Sequence, residues 1–190
     1  DMLDLSKKLF IDINPFKDYT LPLISLTRGR KVEKMGKHAY GDSHIEDLWR
    51  TFFCASTNLT TTGLMIHRRG IIREAVRASS SLPGVVTPVL QNGQLLVDGG
   101  VINNLPGDIL RPDCGLLVTV EVNPRLNISA GVKEIPSPWK ILQRRLNPLN
   151  ESYQVPGILD ILLSGVLTGS MYTADKIKRV ADISLEPPTG

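Results

Sequence analysis

The sequence predicts an α/β fold in which helices lie on both sides of a β-sheet. Residues 116–122 form an unbroken apolar run, which is typical of a strand covered on both faces. Residues 158–179 form the longest helical pattern, although Gly165 and Gly169 weaken its middle. With 190 residues and 42% apolar composition, the chain is long enough for one domain with a sizeable core. We therefore expect a single globular unit over residues 1–190.

The remaining elements are predicted from hydrophobic period and from breaking residues. Apolar residues at helical spacing favour a frayed helix at residues 1–10 and three further helices, at residues 29–41, 45–49 and 71–78. Apolar runs favour short strands at residues 51–56, 64–67, 85–90, 94–97 and 181–185. Asn92 and Gly93 are typical of a two-residue hairpin turn, so the two strands that flank them should pair.

Residues 123–150 differ from the rest of the chain in composition. Proline, asparagine and charged residues dominate there, interrupted by a helical pattern at residues 139–146. Long segments of this kind run over the surface, and some close over binding sites. We expect either a surface excursion or a lid.

Charge and hydropathy exclude some classes of partner. The net charge of +3 arises from 22 basic and 19 acidic residues spread through the chain, and only 5% of residues are aromatic. Nucleic-acid binding usually needs a concentrated basic stripe or stacking aromatics, so we expect no nucleic acid partner. The longest apolar stretch, residues 158–167, has about half the length of a membrane span, and no signal peptide opens the chain. A cytoplasmic chain, or one peripheral to the cytoplasmic face of a membrane, is expected.

The two cysteines, Cys54 and Cys114, both lie in apolar surroundings. Neither belongs to a C-x-x-C or histidine-rich spacing that would indicate zinc, and no other ligand spacing implies a metal or a cofactor. We expect both to be buried small hydrophobic residues in a reducing compartment, with a disulfide between them left open as an alternative.

Asp98 is the strongest candidate for chemistry. It emerges at the end of a predicted strand and is followed by Gly99 and Gly100, which provide the backbone freedom that aims a carboxylate. Such a carboxylate can act as a base, although many Asp-Gly pairs only cap their own turn. Asn103 and Asn104 are placed either to brace this turn or to begin the helix that follows.

Other nucleophile and base candidates are weaker. Three consecutive serines lie upstream of Asp98, but they lack the strand–turn–helix context that exposes a nucleophile, and we expect capping and packing roles for Ser79, Ser80 and Ser81. All three histidines precede Asp98, so the Ser…Asp…His order of ordinary α/β-hydrolases cannot be assembled. Surface or packing roles are therefore expected for His38, His44 and His67.

An ordered series of motifs surrounds Asp98. Residues 77–84 read R-A-S-S-S-L-P-G, the Asp98 block reads D-G-G, and residues 103–106 read N-N-L-P. This series resembles the A-S-x-x-x-P, D-G-G, N-x-P succession of patatin-like phospholipases, and residues 45–49 resemble a segment of the neuropathy-target-esterase branch. The similarity runs from about Leu21 to Glu121 and continues more loosely beyond.

The resemblance implies a fold and a reaction. The expected fold is a three-layer α/β/α domain with a mostly parallel central sheet. The expected activity is hydrolysis of carboxylic esters in phospholipids or lysophospholipids, in which a serine on a G-x-S-x-G elbow attacks and an aspartate accepts its proton without a histidine. Asp98 would be that aspartate, with support from Gly99, Gly100, Asn103 and Asn104.

Half of the implied site is not in this sequence. G-x-S-x-G does not occur in the 190 residues, nor does the glycine-rich loop that forms the family's oxyanion hole. We therefore expect a partial domain without its N-terminal part, inactive by itself, whose serine lies on an upstream companion segment. A lipid ester substrate and a membrane surface are the other expected partners. The alternative is a non-catalytic lipid-binding or scaffolding module that keeps the fold without turnover.

Overall fold

A computed structural model of the chain describes Lys7, residues 18–122, Ser137, Trp139 and residues 157–187. The helices predicted at residues 1–10 and 139–146, and the excursion or lid predicted at residues 123–150, lie outside these residues apart from Lys7, Ser137 and Trp139. The boundary of a single domain over residues 1–190 therefore stays a prediction.

Four helices and six strands are found within the described residues. The helices are α1 (Arg30–Tyr40), α2 (Ile72–Ser79), α3 (Gly107–Leu110) and α4 (Ile158–Lys178). The strands are β1 (Cys54–Asn58), β2 (Gly63–His67), β3 (Val89–Gln91), β4 (Gln94–Asp98), β5 (Val118–Val120) and β6 (Ile183–Leu185). Two 3₁₀ turns lie at Gly99–Val101 and Arg111–Asp113. These elements confirm the predicted α/β class.

The strands form two sheets. A four-stranded sheet has the order β2-β1-β4-β3 and is antiparallel throughout, whereas β5 and β6 form a parallel pair. The expected mostly parallel sheet is thus found only in part. The reason is that β1 and β2, like β3 and β4, are joined by connections too short for a parallel crossover. The second of these is the predicted turn, where Asn92 and Gly93 both have positive φ angles of 51° and 75°.

The prediction of a short helix at residues 45–49 is wrong. This segment is a series of turns and bends instead. The backbone N–H of Ile45 donates to the carbonyl of Gly70 at 2.9 Å, and the Ile45 side chain packs against Ile72 and Ala75. This hydrogen bond and the burial of the Ile45 side chain fix the segment. Local helical spacing therefore does not decide its conformation. The bounds of the neighbouring strand also differ from the prediction, because β1 begins at Cys54 rather than at Thr51.

The core beneath the predicted site lies between α2 and the centre of the four-stranded sheet. Leu96 and Val97 of β4 are fully buried, and Ala55 of β1 and Ala78 of α2 are buried as well. β1 and β4 are the two inner strands, so each is hydrogen-bonded on both edges. The last residue of β4 is therefore held by a rigid platform, and that residue is Asp98.

The prediction that the strand at residues 116–122 is covered on both faces is wrong for the described residues. Leu117 and Thr119 are buried, but Val118 and Val120 are 47% and 52% exposed. The buried face packs against α3 and α4, since a Cβ added to Gly107 would lie 2.7 Å from Ile177 Cγ2 and 3.4 Å from Leu117 Cδ2. No element of the described residues covers the opposite face.

α4 is the longest described helix. Its first turn is closed by the Asp160 carboxylate, which accepts a hydrogen bond from the Gly157 N–H at 2.9 Å. Within the part of the chain that the structure describes, no helix has both the length and the apolar character needed to cross a membrane.

Candidate active site

Asp98 lies where β4 ends and a 3₁₀ turn begins. Its backbone N–H donates to the carbonyl of Ser81 at 2.9 Å, and its Oδ1 accepts a hydrogen bond from the Gly100 N–H at 2.7 Å. The carboxylate therefore caps its own turn, as the simpler prediction held. Its Oδ2 accepts no hydrogen bond from the described residues, so one oxygen is fixed and the other remains available to a donor.

The environment of Asp98 favours a basic carboxylate. The side chain is partly buried, and this burial raises the pKa of Asp98 above its usual range, while the hydrogen bond from Gly100 opposes the shift. Burial has this effect because it removes water from the charged form. A carboxylate with a raised pKa binds a proton more readily and is a better general base than an exposed one.

The two glycines after Asp98 meet different constraints. A Cβ added to Gly99 would overlap the carbonyl group of Ala55 and lie 2.7 Å from its carbon, so only glycine fits against β1. A Cβ added to Gly100 would lie 3.0 Å from Asn104 Oδ1 and 3.1 Å from Asp98 Oδ1. Neither glycine has a positive φ angle: Gly99 is required by the close approach of the Ala55 backbone, whereas a Cβ on Gly100 would crowd two side-chain oxygens.

Asn103 and Asn104 are held beside this turn. The buried Asn103 donates from Nδ2 to Asp108 Oδ1 at 2.9 Å and accepts from the Leu105 N–H at 3.2 Å. The Asn103 amide thus organises the segment that leads into α3, whereas the Asn104 side chain lies against Gly100. Both predicted alternatives, bracing of the turn and initiation of the next helix, have a counterpart in these contacts.

A buried polar pair lies next to Asp98 and was not predicted. Ser56 of β1 is directly opposite Asp98 of β4 in the antiparallel register, and Ser56 Oγ is hydrogen-bonded to His67 Nε2 at 2.8 Å. Opposed residues have Cβ atoms about 4.5–5.5 Å apart, so Ser56 separates His67 from the carboxylate. Ser56 has no exposed surface and cannot attack a substrate. The signal in the sequence was the run of small and polar residues in β1.

His67 makes the stability of the fold depend on pH. Burial lowers the pKa of His67 below its ordinary value, because the charged ring has less water around it in the folded protein than in the unfolded chain. A group with a depressed pKa stabilises the fold above its unfolded pKa of about 6.5, and this stability is lost as the pH falls through the folded pKa. We expect the free energy of unfolding to fall below pH 6.5 with a slope of up to about 1.4 kcal/mol per pH unit.

Denaturant unfolding between pH 5 and 8 measures this slope. His67→Asn should flatten the profile, whereas His38→Asn, at an exposed position on α1, should retain it. An unchanged slope in His67→Asn would show that another group is responsible.

The three serines and the remaining histidines lie where structural roles were predicted. Ser81 is fully buried, donates to the Arg77 carbonyl at 2.6 Å and accepts from Arg77 Nη1 at 2.5 Å. Ser80 Oγ donates to the Val76 carbonyl at 2.8 Å. His44 is exposed and pairs with Glu46 at 3.6 Å. No hydrogen bond joins these side chains to the Asp98 carboxylate within the described residues.

Both cysteines are free thiols and only partly buried. Burial raises the pKa of Cys54 to about 11, opposed by a hydrogen bond with Ser79. The thiol therefore stays protonated near neutral pH and is a poor nucleophile. Cys54 packs beside Ile72 and Ala75, but the prediction that both cysteines are buried is wrong, because each keeps part of its surface exposed.

A cleft of about 310 Å³ lies elsewhere, between α1, α2 and β3. Arg73 and Arg77 line it, facing Glu33 and Glu74, and Asp98 is not part of its wall. Arg77 also donates to the Thr87 carbonyl at 2.9 Å, so its guanidinium already has protein partners. The balanced charges and the absence of Asp98 from its wall make this cleft a poor candidate for the substrate site.

Comparison with known proteins assigns the chain to a family. Residues 2–111 match the model of the patatin-like phospholipase family. This match covers more than half of the chain and includes Asp98, Gly99, Gly100, Asn103 and Asn104. The chain belongs to the patatin-like phospholipase family.

Three relatives show the range of similarity, and two of them carry NTE in their names. The chain is 35% identical over 192 residues to an uncharacterized NTE family protein of Mycobacterium tuberculosis, with 98% of the chain and 32% of that protein covered. It is 32% identical to lysophospholipase NTE1 of Mycosarcoma maydis, with 86% and 9% covered. It is 32% identical to human patatin-like phospholipase domain-containing protein 6, with 82% and 12% covered. The chain thus spans a third or less of the length of these relatives.

Proposed function

We propose that this chain supplies the general base of a patatin-type lipid acyl hydrolase, which cleaves carboxylic esters of phospholipids or lysophospholipids. Asp98 is the base, and the nucleophilic serine lies on a segment outside this sequence. Gly99, Gly100, Asn103 and Asn104 hold the carboxylate in place. By itself the chain is inactive in this proposal, because its sequence contains no G-x-S-x-G motif.

The observation that carries the proposal is the state of the Asp98 carboxylate. One oxygen is held by the Gly100 N–H at 2.7 Å, burial raises its pKa, and the other oxygen has no donor among the described residues. A serine hydroxyl that donates to this second oxygen would complete a dyad without a histidine. The names of the relatives, phospholipase and lysophospholipase, support a lipid ester as the substrate.

The reaction follows from this arrangement. As the serine oxygen bonds to the ester carbonyl carbon, its proton passes to Asp98, and the tetrahedral intermediate collapses to an acyl-serine. Asp98 returns the proton to the departing alcohol. In the second half, Asp98 takes a proton from water, the hydroxyl attacks the acyl-serine, and the serine recovers the proton as the fatty acid leaves.

A non-catalytic lipid-binding or scaffolding module is the second candidate. The lack of both glycine motifs in the 190 residues favours it. The intact Asp98 turn favours the hydrolase, because a partly buried carboxylate with a raised pKa destabilises the fold near neutral pH, and the bond from the Gly100 N–H needs only a side-chain oxygen and no charge.

Labelling by a fluorophosphonate probe separates the two candidates. The probe is applied to the parent protein, and the intact mass of the labelled polypeptide locates the adduct. We expect label on a serine outside residues 1–190, competed by lysophosphatidylcholine, and no label on this chain alone. Absence of label from the intact parent protein would contradict the hydrolase and favour the non-catalytic module.

We also propose that the chain docks on the cytoplasmic face of a membrane through a hairpin at residues 19–27. Leu21, Leu23 and Ile24 at its tip are 77%, 88% and 73% exposed. The hairpin is held to the rest of the fold, because Ser25 Oγ is hydrogen-bonded to Thr87 Oγ1 at 2.8 Å. The three aliphatic side chains are therefore presented outward by a fixed loop, as in interfacial anchors.

Basic charge adjoins this tip. The hairpin is tied to the start of α1, where the Arg30 N–H donates to Asp18 Oδ2 at 3.0 Å. Arg30, Lys34 and Lys37 share one exposed face of α1, since they are spaced by four and three residues. Each such residue adds about 1 kcal/mol of attraction to anionic lipid.

Vesicle sedimentation with phosphatidylserine and phosphatidylcholine measures this binding. We expect binding to phosphatidylserine vesicles that weakens with salt. Leu23→Ser should reduce it about tenfold, whereas Leu59→Ser, an exposed residue of the β1–β2 turn, should not. Equal binding by the two variants would contradict the proposed anchor.

A further inference from the structure

The Ser56 hydroxyl lies beside the Asp98 carboxylate but is hydrogen-bonded to His67 instead, at 2.8 Å between Oγ and Nε2. The Asp98 N–H donates to the Ser81 carbonyl and not to β1, so Ser56 and Asp98 form a non-hydrogen-bonded pair of the antiparallel ladder. Side chains of such pairs share one face of the sheet, with Cβ atoms about 4.5–5.5 Å apart. A hydroxyl at this spacing can form a hydrogen bond across the two strands.

The protonation of His67 decides which atom donates in its bond with Ser56. Ser56 has no exposed surface, and a buried hydroxyl normally donates a hydrogen bond. Among the described residues, no acceptor other than His67 Nε2 lies within hydrogen-bond distance of Ser56 Oγ. The imidazole is neutral at pH 7, because burial lowers the pKa of His67, and a neutral ring has one nitrogen that accepts. Ser56 Oγ therefore donates to Nε2, and the ring proton is on Nδ1.

This direction leaves the Asp98 carboxylate with the Gly100 N–H as its donor among the described residues. A second donor would stabilise the charged carboxylate and lower the pKa of Asp98. It would also occupy the oxygen that the proposed reaction reserves for the nucleophilic serine. No charged side chain of the described residues shifts the pKa of Asp98 or of His67, and the thiol opposite His67, Cys54, is protonated near neutral pH.

We propose that His67 is a positioning residue for Asp98, because its Nε2 holds the Ser56 hydroxyl away from the carboxylate. This inference rests on the proposed function, since it concerns the base of that reaction. When the acceptor on His67 is lost, rotation about χ1 turns the Ser56 hydroxyl toward Asp98. The hydroxyl then donates to the carboxylate and competes with the nucleophilic serine. His67 thus acts through Ser56 and not on the reacting atoms.

The opposite direction of the hydrogen bond would give His67 a different role. If Nε2–H donated to Ser56 Oγ, the Ser56 proton would point to Asp98, and the two residues would form a relay that stabilises the charged carboxylate. Removal of the Ser56 hydroxyl would then raise the pKa of Asp98. The proposed direction predicts no such rise, so the two roles are distinguishable.

A double-mutant cycle in the intact parent protein tests the proposal. His67→Phe keeps a ring of similar size and removes the acceptor. We expect it to lower the pKa of Asp98, followed by ¹³C NMR of the carboxyl carbon, and to lower kcat for lysophosphatidylcholine hydrolysis about tenfold. In a Ser56→Ala background the same change should leave the pKa of Asp98 in place and alter kcat less than about twofold, because no hydroxyl remains to be released.

The ¹⁵N signals of the His67 ring in the wild type give a second measurement, which does not depend on the folding of His67→Phe. We expect an unprotonated Nε2 and a protonated Nδ1, with the signals assigned by their loss in His67→Asn. A protonated Nε2 would overturn the proposal, and so would a rise in the pKa of Asp98 in Ser56→Ala. A loss of activity in His67→Phe that persists in the Ser56→Ala background would show a merely structural role and would overturn it as well.

Failure of this inference is distinct from failure of the proposed function. The NMR results do not require turnover. The expected NMR results in a parent protein that takes up no fluorophosphonate label would keep the placement of the Ser56 hydroxyl by His67 and would reject the hydrolase.

Discussion

Asp98→Asn is expected to lower kcat for ester hydrolysis by the intact parent protein about 10³-fold while leaving the protein more stable. Asparagine keeps an oxygen that can accept the Gly100 hydrogen bond but cannot accept a proton from a serine. Because burial raises the pKa of Asp98, the charged carboxylate costs free energy in the folded state near neutral pH. Its removal should raise the free energy of unfolding by about 1 kcal/mol.

The pH dependence of this gain gives an independent check. A carboxylate whose folded pKa is raised destabilises the fold above that pKa, and the penalty disappears as the pH falls to the unfolded value of about 3.9. The stability difference between Asp98→Asn and the wild type should therefore vanish near pH 4. Denaturant unfolding across this range, with Asp47→Asn at an exposed position as the control, measures it. Retained activity in Asp98→Asn would end the assignment of Asp98 as the base.

Gly99→Ala is expected to be the most damaging of the conservative changes to the fold. The added Cβ would overlap the carbonyl group of Ala55, which belongs to an inner strand and cannot move away without breaking the β1–β4 pairing. Overpacking against backbone should cost about 3 kcal/mol and lower Tm by about 10 °C. In the intact parent protein, hydrolysis should fall as well, because the turn that aims Asp98 must shift.

Gly63→Ala is the matched control for Gly99→Ala. Gly63 also lies in the four-stranded sheet, and a Cβ there meets nothing within 4 Å. Its Tm should remain within about 2 °C of the wild type. Thermal unfolding of both variants by circular dichroism makes the comparison, and equal Tm values would show that the contact with Ala55 relaxes at little cost.

Prediction from sequence succeeded where local signals and structure coincide. The Asn92-Gly93 turn has the positive φ angles that its residues favour, and it fixes the register of β3 and β4. Asp98 is the last residue of β4, as predicted from the apolar run before it. The helices α1, α2 and α4 also lie where apolar spacing and breaking residues indicated.

Prediction failed where contacts between distant segments decide the outcome. Residues 45–49 have helical spacing, yet the bond from Ile45 to Gly70 and the burial of Ile45 hold them as turns. The apolar run at residues 116–122 predicted cover on both faces, but periodicity does not say which segment supplies that cover. His67 had no sequence signal beyond its identity, and its bond to Ser56 depends on the pairing of β1 with β2.

The sequence by itself determined the α/β class, the family and the position of Asp98 at a strand end before two glycines, because these depend on short-range patterns and motif order. Only the tertiary structure decided that the Gly100 N–H holds one oxygen of Asp98, that Gly99 has no space for a side chain, and that Ser56 and His67 form a buried pair beside Asp98. Those properties depend on contacts between segments that are far apart in the chain. Hydrophobic spacing is a local pattern and does not predict such contacts.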